Sequence, residues 1–297
     1  MFDVIVVGGG PAGLSAALML GRSRRRVLLC DLRLPRNRHS HALHGYLTRD
    51  GVAPFTFNDL GRAELAQYGV DVRIEGVTSA QWIDNRFRVC VGRDREEESR
   101  FLLLATGVID DLPAIPGFDD CYGRSVFHCP YCDGWEWRDR RLAAFGRGAA
   151  CVGLALGLKT WSADVVLCTN GARLDRANRE RLERNGIAVR TDPVAALDHD
   201  DGALRALTFA HGEVRACDAL FFATGQRPQS PLATTLGCTF TKLGTVNTGN
   251  ACDTNVPRVF VAGDASRDAQ FVVVAAAEGV KAAVAINKAL QREELQP

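Results

Sequence analysis

The chain contains 297 residues, of which 46% are hydrophobic and 24% are charged, and its formal net charge is +1. This near-neutral composition is typical of a soluble globular protein of about two domains, and it argues against binding to nucleic acid or to an anionic membrane surface. Its apolar stretches fall short of the ~20 residues that span a bilayer, and a strand pattern starts too close to Met1 to leave room for a leader peptide, so we expect a cytoplasmic location.

The first half of the chain is predicted to open with a βαβ unit. A short β-branched run at residues 3–7 stops at glycines, as a buried parallel strand does. The charged run at residues 93–98 is predicted to be the solvated tip of a hairpin. The predicted bounds in this half are strand 3–7, helix 11–21, strand 27–30, a long polar loop 35–53, helix 55–68, and strands 71–75, 80–84, 86–91 and 99–104.

The second half repeats this beginning. An apolar strand ends at Phe145, glycines follow at Gly146 and Gly148, and a helix and a strand come next. The two Rossmann-like beginnings lie 138 residues apart (146 − 8), which indicates an internal duplication. The predicted bounds are a βαβ beginning over 141–168, strands 187–190, 203–209, 213–217, 219–222 and 258–262, and helix 270–291.

The first strand runs into Gly8-Gly9-Gly10-Pro11-Ala12-Gly13, which fits the dinucleotide pattern G-x-G-x-x-G. Gly8 permits the tight turn, Gly10 lets the backbone approach a diphosphate, and Gly13 lets helix and strand pack closely. The diphosphate is expected at the N-terminus of the helix that begins at Pro11. Asp31, 23 residues after Gly8, stands at the end of the next strand, where a carboxylate accepts hydrogen bonds from a ribose.

Two of the ten cysteines have the C-x-x-C spacing of a reactive pair, in Cys129-Pro130-Tyr131-Cys132. Disulfide exchange needs one thiolate to attack and a second to resolve, and this spacing suits a reversible ring. A zinc site would need two further ligands, for which Cys121 and His128 are candidates, but a second C-x-x-C or C-x-x-H is missing. The dinucleotide motifs argue against a small thioredoxin-like protein, and we interpret the pair as a redox-active dithiol.

Three of the six histidines, His39, His41 and His44, fall within six residues of the predicted long loop. A metal site is one interpretation of this cluster. No carboxylate or cysteine stands nearby at a matching spacing, so we predict no metal.

Taken in order, these motifs resemble the thioredoxin reductase family of two-domain flavoproteins, from residue 3 to about residue 290. The family's Ala-Thr-Gly element is present twice, its C-x-x-C-Asp-Gly element once, and its late Gly-Asp follows an apolar strand. These elements are Ala105-Thr106-Gly107, Ala223-Thr224-Gly225, Cys129–Gly134 and Gly263-Asp264. The resemblance implies an α/β fold with two Rossmann-like dinucleotide-binding domains. It implies a discontinuous FAD-binding domain (1–114 and 234–297), an NAD(P)H-type domain with the C-x-x-C pair (115–233), and a homodimer.

The resemblance also implies roles for single residues. Cys132 would face the isoalloxazine ring of FAD, Cys129 would attack the substrate disulfide, and Asp133 would exchange a proton with the departing thiol, although Asp133 also suits a helix N-cap. His44 is our first choice among the loop histidines for a flavin or substrate contact. The residues expected to bind FAD are Gly8, Gly10, Pro11, Ala12, Gly13, Asp31, His44, Ala105, Thr106, Gly107, Gly263, Asp264 and Gln270.

The second glycine turn departs from the family pattern. Gly146 and Gly148 are in place as a second nucleotide site, but Cys151 replaces the third small residue. The family's arginines for the 2′-phosphate of NADPH are missing after the next strand, where Arg173 is the nearest basic residue, and no acidic residue selects NADH. Losing one arginine–phosphate contact costs at least ~1.5–3 kcal/mol, so weak NADPH binding is expected.

Several functions therefore stay open at this stage. The first is a thioredoxin reductase-like enzyme that acts on a thioredoxin-like protein or a small-molecule disulfide with an unusual electron donor. The Cys-Pro-Tyr-Cys pair and the histidine loop also resemble the gliotoxin- and holomycin-type dithiol oxidases, which pass electrons to oxygen. A third reading is a reductase fed by ferredoxin or by a second FAD in the degenerate domain, and a fourth is a flavin-binding redox sensor without fast turnover.

Overall fold

The computed structural model describes residues 1–266 and 269–295, and the chain divides into two compact units. The first unit comprises Met1–Arg38, Gly45–Ile109 and the segment from Arg227 onward, and is therefore discontinuous. The second unit comprises His39–His44 and Asp110–Gln226. The sequence placed its boundaries after residues 114 and 233 and did not assign residues 39–44 to the second unit.

Residues 2–110 carry the elements of the first βαβ unit and a meander of strands. They are β1 (Phe2–Val7), α1 (Pro11–Arg22), β2 (Val27–Cys30), α2 (Pro54–Leu65) with a 3₁₀ turn (Ala66–Tyr68), β3 (Asp71–Arg73), β4 (Val77–Ile83), β5 (Arg86–Val91), β6 (Arg95–Leu104) and β7 (Val108–Asp110).

The rest of the chain carries the second βαβ beginning and the closing helix. Its elements are α3 (Phe118–Cys121), β8 (Val126–Phe127), α4 (Pro130–Asp133), β9 (Leu142–Gly146), α5 (Gly148–Leu158), β10 (Val165–Cys168), α6 (Arg176–Arg184), β11 (Ala188–Arg190), β12 (Val194–Asp200), β13 (Ala203–Phe209), β14 (Val214–Ala216), β15 (Ala219–Ala223), β16 (Gln226–Pro228), α7 (Leu232–Thr235), β17 (Val259–Val261) and α8 (Val272–Glu294).

The first unit is built on a seven-stranded sheet of order β3-β2-β1-β6-β5-β4, with β17 also paired to β6. Strands β1, β2, β3, β6 and β17 pair in parallel, whereas β4 and β5 are antiparallel additions. Side chains of β1 alternate between two cores: Val4 and Val6 pack with α1 and α8, and Ile5 and Val7 pack on the opposite face. Burial of both faces explains the continuous apolar run that the sequence shows.

The second unit contains a parallel five-stranded sheet of order β11-β10-β9-β15-β8. Its central strand β9 again contributes side chains to two cores. Ala143 and Phe145 face one side of the sheet, and Leu142 and Ala144 face the other. A three-stranded antiparallel sheet, β12-β13-β14, packs Leu197, Leu204 and Leu207 into the first of these cores. The predicted α/β fold with two Rossmann-like units is confirmed.

Two local features differ from the sequence expectations. In the charged run at 93–98, residues 93 and 94 do form the exposed turn of the β5–β6 hairpin, but residues 95–98 belong to strand β6. There Glu98 lies opposite Arg88 and pairs with Arg86 at 2.9 Å, so cross-strand ion pairs hold this part in the sheet. Strand β12 and helix α6 were missed, because α6 is polar almost throughout and buries only Leu182. Within the described residues, no helix combines the length and the apolar composition needed to cross a membrane.

Candidate active site

The glycine turn of the first unit is fixed by packing between strands and helix. Gly8 follows β1 with φ +107°, and its N–H donates to Cys30 O at 2.8 Å. A Cβ on Gly8 would overlap the carbonyl of Ala105, and a Cβ on Gly13 would overlap the carbonyl of Gly8. Only glycine fits either position.

Gly10 is different, because no atom lies within 4 Å of the place where its Cβ would be. It precedes Pro11 at the start of α1, with φ −77°, a value open to any residue. Packing within the protein therefore does not require glycine at this position, and a bound ligand would. Free space above the first N–H groups of a helix fits a diphosphate, and the turn fits a dinucleotide.

The first Ala-Thr-Gly element lies against this turn. Ala105 follows β6, donates its N–H to Val7 O at 2.8 Å, and lies beside Gly8 and Gly13. Gly107 has φ +67°, so the chain turns there in the left-handed region before β7 begins. The parallel pairing of β1 and β6 brings the predicted Ala105-Thr106-Gly107 and Gly8–Gly13 segments to one sheet edge.

Asp31 is buried directly after β2 and faces the glycine turn, since a Cβ on Gly9 would overlap its carboxylate. The carboxylate accepts from the N–H of Arg33 at 2.9 Å and from Nη1 of Arg62 at 2.7 Å. Arg62, in α2, was not singled out from the sequence. The sequence gives only a weak signal for the role of Arg62, because one arginine on an amphipathic helix is normally a solvated charge.

The Gly263-Asp264 turn follows β17 and lies beside the same helix start. Gly263 has φ +81°, and a Cβ there would lie 3.0 Å from Cβ of Ala12. Its N–H donates to Glu278, a buried carboxylate on α8, at 2.8 Å, and the hydroxyl of Ser266 donates to the same oxygen at 3.2 Å. Glu278 fixes this turn and was missed because the sequence shows only one acid in an alanine-rich helix.

Asp264 and Gln270 meet at Arg36. Nη1 of Arg36 donates to Oδ2 of Asp264 at 3.0 Å and to Oε1 of Gln270 at 2.6 Å, while Nε2 of Gln270 donates to the carbonyl of Asp264 at 3.2 Å. The structure thus brings together two residues expected to bind FAD and adds an arginine from the long loop.

The dithiol occupies a tight turn in the second unit. Cys129 precedes α4, and its carbonyl accepts from the N–H groups of Cys132 and Asp133 at 3.2 and 3.3 Å. This turn places the two sulfurs 2.6 Å apart, with the Cys132 thiol donating to Cys129. Pro130 supplies a fixed φ at the first helical position and needs no N–H partner there.

Asp133 lies beside this pair with a strongly altered acidity. Burial, together with the negative charges of Cys129 and Glu136, raises the pKa of Asp133 from 3.8 to about 7. The charge of His44 acts in the opposite direction. Nε2 of His44 lies 3.6 Å from Oε1 of Glu136, so the loop histidine belongs to the surroundings of the dithiol. At neutral pH, Asp133 can either give or take a proton.

Aromatic side chains surround the dithiol turn. Trp135 is 64% exposed with Arg138 stacked 4.1 Å from its ring centre, and Tyr131 is 76% exposed and edge-on to Trp161 at 5.3 Å. Trp137 instead packs against Phe127 and a core of the second unit.

The remaining eight cysteines contrast with the pair. Seven are buried, and burial raises the pKa of the Cys30 and Cys168 thiols to about 12. A thiol held protonated is a poor nucleophile. Among residues 1–266 and 269–295, no group of three or more histidine, cysteine or acidic side chains is arranged to hold a metal ion, and His39 stacks on Tyr122 with the ring centres 5.6 Å apart.

The second glycine turn has free space at the start of its helix, as the first turn has at Gly10. Gly148 has φ +69° with free space where its Cβ would be, at the exposed start of α5. Cys151 is fully buried, and its thiol donates to the carbonyl of Gly148 at 3.1 Å. The extra sulfur is therefore accommodated inside the unit, and the space outside the helix start remains.

Two Rossmann-like units, one with a complete dinucleotide turn and the other with a C-x-x-C-Asp turn, define a disulfide oxidoreductase. The sequence profile of the family described as "Pyridine nucleotide-disulphide oxidoreductase" matches residues 2–279. The chain belongs to this family, and the predicted thioredoxin reductase-like enzyme class is confirmed.

Individual proteins agree with this assignment. "Probable thioredoxin reductase" of Arthroderma benhamiae is 32% identical over 68% of this chain and 55% of its own length, so the chain spans about half of that relative. "Thioredoxin reductase tcpT" of Claviceps purpurea is 30% identical over 88% of this chain and 86% of its own. The crystal structure of HlmI is 36% identical with a TM-score of 0.94, covering 99% of this chain and 93% of HlmI.

Proposed function

We propose that this chain is an FAD-dependent thiol–disulfide oxidoreductase that works through Cys129, Cys132 and Asp133. The observation that carries the proposal is the dithiol turn itself. Its two sulfurs lie 2.6 Å apart, next to a carboxyl group whose pKa is raised to about 7. A nucleophile, a resolving thiol and a proton carrier are the groups that disulfide exchange requires.

The first unit is the proposed FAD-binding domain. Gly8, Gly10 and Gly13 would hold the diphosphate, Asp31 the ribose, and Asp264 with Gln270 the ribityl side, close to Arg36. FAD, when bound, supplies a two-electron carrier that a dithiol can reduce or that can reduce a disulfide. The open space at Gly10 supports this assignment.

The exchange itself is a sequence of two sulfur displacements. The family resemblance assigns the first attack to the Cys129 thiolate, which forms a mixed disulfide as the substrate's sulfur–sulfur bond breaks. Asp133 protonates the departing substrate sulfur. The Cys132 thiolate then displaces the second substrate sulfur from Cys129, so that the Cys129–Cys132 disulfide forms and the substrate leaves as a dithiol. The electron pair lost by the protein dithiol is the pair gained by the substrate.

A dithiol oxidase is the second candidate. It runs the same displacements in reverse, with the overall reaction of a dithiol and oxygen giving a disulfide and hydrogen peroxide. The absence of an acidic or arginine-rich segment directly after β10 favours a reaction that needs no nicotinamide nucleotide. Ferredoxin or a second FAD in the second unit would serve a reductase equally well.

The substrate is proposed to be a thioredoxin-like protein or a small-molecule disulfide or dithiol. Tyr131 and Trp135 support this, because exposed aromatic rings beside the dithiol offer a contact surface. We also propose a cytoplasmic location and, by family resemblance, a homodimer.

An anaerobic titration of the purified protein tests the proposal. Dithiothreitol should bleach the flavin absorbance at one FAD per chain, and the Cys132→Ser variant should bind FAD but resist bleaching. A protein that binds no FAD, or a Cys132→Ser variant that bleaches normally, would contradict it. NADPH bleaching identifies a reductase, peroxide formation identifies an oxidase, and two flavins per chain identify the second-flavin version.

A further inference from the structure

The exposed Trp135 directly follows the dithiol turn, and Arg138 lies over its ring. The Cζ atom of Arg138 lies 4.1 Å from the centre of that ring, and Nη1 donates to the carbonyl of Trp135 at 2.8 Å. The backbone N–H of Arg138 donates to the same carbonyl at 3.3 Å. A cation–π contact and two hydrogen bonds therefore fix the position of this guanidinium.

The guanidinium of Arg138 keeps donors for a ligand. Within the part of the chain that the structure describes, Arg138 forms no ion pair, and Nη1 is the guanidinium nitrogen that has a hydrogen-bond acceptor. Arg141, by contrast, pairs with Asp218 at 2.7 Å. The acidic neighbour Glu136 is directed to His44, 3.6 Å away. Nε and Nη2 of Arg138 can therefore donate together to the two oxygens of a carboxylate.

The dithiol turn and its exposed rings rest on one tryptophan. The N–H of Gly134 donates to the carbonyl of Pro130 at 2.8 Å, which closes the turn. A Cβ on Gly134 would lie 2.8 Å from Trp161, and Tyr131 is edge-on to the same ring at 5.3 Å. Tyr131 and Trp135 are both exposed. A small molecule that reacts at the dithiol thus finds two aromatic rings and a fixed cation within this turn and the residues directly after it.

We propose that Arg138 is a specificity-determining residue that binds a carboxylate of the substrate, and that the substrate is a small-molecule disulfide or dithiol bearing such a group. The inference rests on the proposed thiol–disulfide function and deepens it by naming the substrate class. Trp135 holds the guanidinium in place, so little side-chain freedom is lost when a carboxylate binds. The same positive charge disfavours a cationic substrate.

Three matched disulfides test this assignment on the full-length, FAD-loaded Cys132→Ser protein. They are 3,3′-dithiodipropionate, bis(2-hydroxyethyl) disulfide and cystamine, which end in carboxylates, hydroxyls and ammonium groups. The Cys129 thiolate attacks one probe sulfur, the probe's sulfur–sulfur bond breaks, and one thiol leaves. Intact-mass spectrometry then gives the rate constant of adduct formation. Adding Arg138→Ala should slow the carboxylate probe about 3- to 10-fold, leave the hydroxyl probe unchanged and accelerate the ammonium probe.

Two further variants separate recognition from general charge. Arg138→Lys should fall between arginine and alanine, because lysine keeps the charge but loses the fork of donors. Arg176→Ala is the matched control, because Arg176 is an exposed arginine on α6 paired with Glu180, and it should leave all three rates unchanged.

The proposal is overturned if Arg138→Ala changes the three rates alike or changes none of them. It is also overturned if Arg176→Ala reproduces the effect of Arg138→Ala. Failure of the proposed function has a different signature, since Cys129 would then form no adduct with any of the three probes, whether or not Arg138 is present.

Discussion

The carboxylate of Glu278, in the last helix, accepts a hydrogen bond from the backbone N–H of Gly263 at 2.8 Å. This bond joins α8 to the turn that presents Asp264. Glu278 also accepts from Ser266, so one buried side chain satisfies two donors of the turn. The proposed FAD site therefore depends on a residue that does not itself need to touch the cofactor.

Replacing Glu278 by alanine should loosen this turn. Two donors lose their buried acceptor, which costs about 1–3 kcal/mol of the free energy of unfolding, and FAD should dissociate more readily. Urea denaturation and flavin retention on gel filtration measure the two effects. Glu278→Gln keeps an acceptor oxygen and serves as the control, so equal losses in both variants would argue against the hydrogen-bond explanation.

Two glycines of the first turn should respond differently to alanine. Gly13→Ala places a methyl group on the carbonyl of Gly8 and should destabilise the fold by about 1–3 kcal/mol or more, with or without FAD. Gly10→Ala meets no protein atom and should leave the flavin-free protein as stable as before, but it should weaken FAD binding. Melting temperatures with and without added FAD separate the cases. Equal stability losses in both flavin-free variants would refute the assignment of Gly10 to the diphosphate.

Thiol–disulfide exchange should follow the ionisation of Asp133. Because its pKa is raised to about 7, the acid form that protonates the departing thiol is lost as pH rises through about 7. Asp133→Asn should lower the rate by about 10²–10⁴ and remove this inflection. Glu136→Gln should move the inflection to lower pH and His44→Ala to higher pH, since these charges act on Asp133 in opposite directions. Shifts in the same direction would contradict the arrangement.

The same pKa makes a prediction about stability. Asp133 has a higher pKa in the folded chain than its usual 3.8, so folding retains a proton that unfolding releases. This contribution to stability is complete below about pH 3.8 and is lost as pH rises to about 7. Asp133→Asn should therefore gain stability relative to the unsubstituted protein between pH 5 and pH 8, as measured by urea midpoints. A constant difference across that range would show that Asp133 is not held protonated.

Serine variants of the two cysteines should be blocked at different steps of disulfide exchange. Cys132→Ser keeps the attacking thiol and should accumulate a mixed disulfide at Cys129 when given an oxidised disulfide substrate, whereas Cys129→Ser should form none. Both should lose disulfide turnover by about 10³-fold or more. Mass spectrometry of the intact protein detects the adduct, and Cys90→Ser, a single cysteine outside the pair, is the control. An adduct at Cys132 in the Cys129→Ser variant would reverse the assigned roles.

Local sequence patterns predicted much of the framework because they reflect burial and turn geometry. Strand β2 lies at the predicted Val27–Cys30, and α1 and α8 begin within two residues of the predicted positions. These elements have regular apolar spacing. Strand β6 began four residues earlier than predicted, because its charged half is held by cross-strand pairs that no single segment reveals.

The sequence by itself determined the fold class and the family, and it predicted the redox dithiol and the three glycines of the first turn, because each of these motifs depends on residues close together in the chain. Only the tertiary structure decided which distant side chains support those motifs. Glu278 meets Gly263 across α8, Arg36 meets Asp264, and His44 meets Glu136 beside Asp133. Hydrogen bonds and charge interactions act through distances of a few ångströms, and chain folding, rather than sequence spacing, sets those distances.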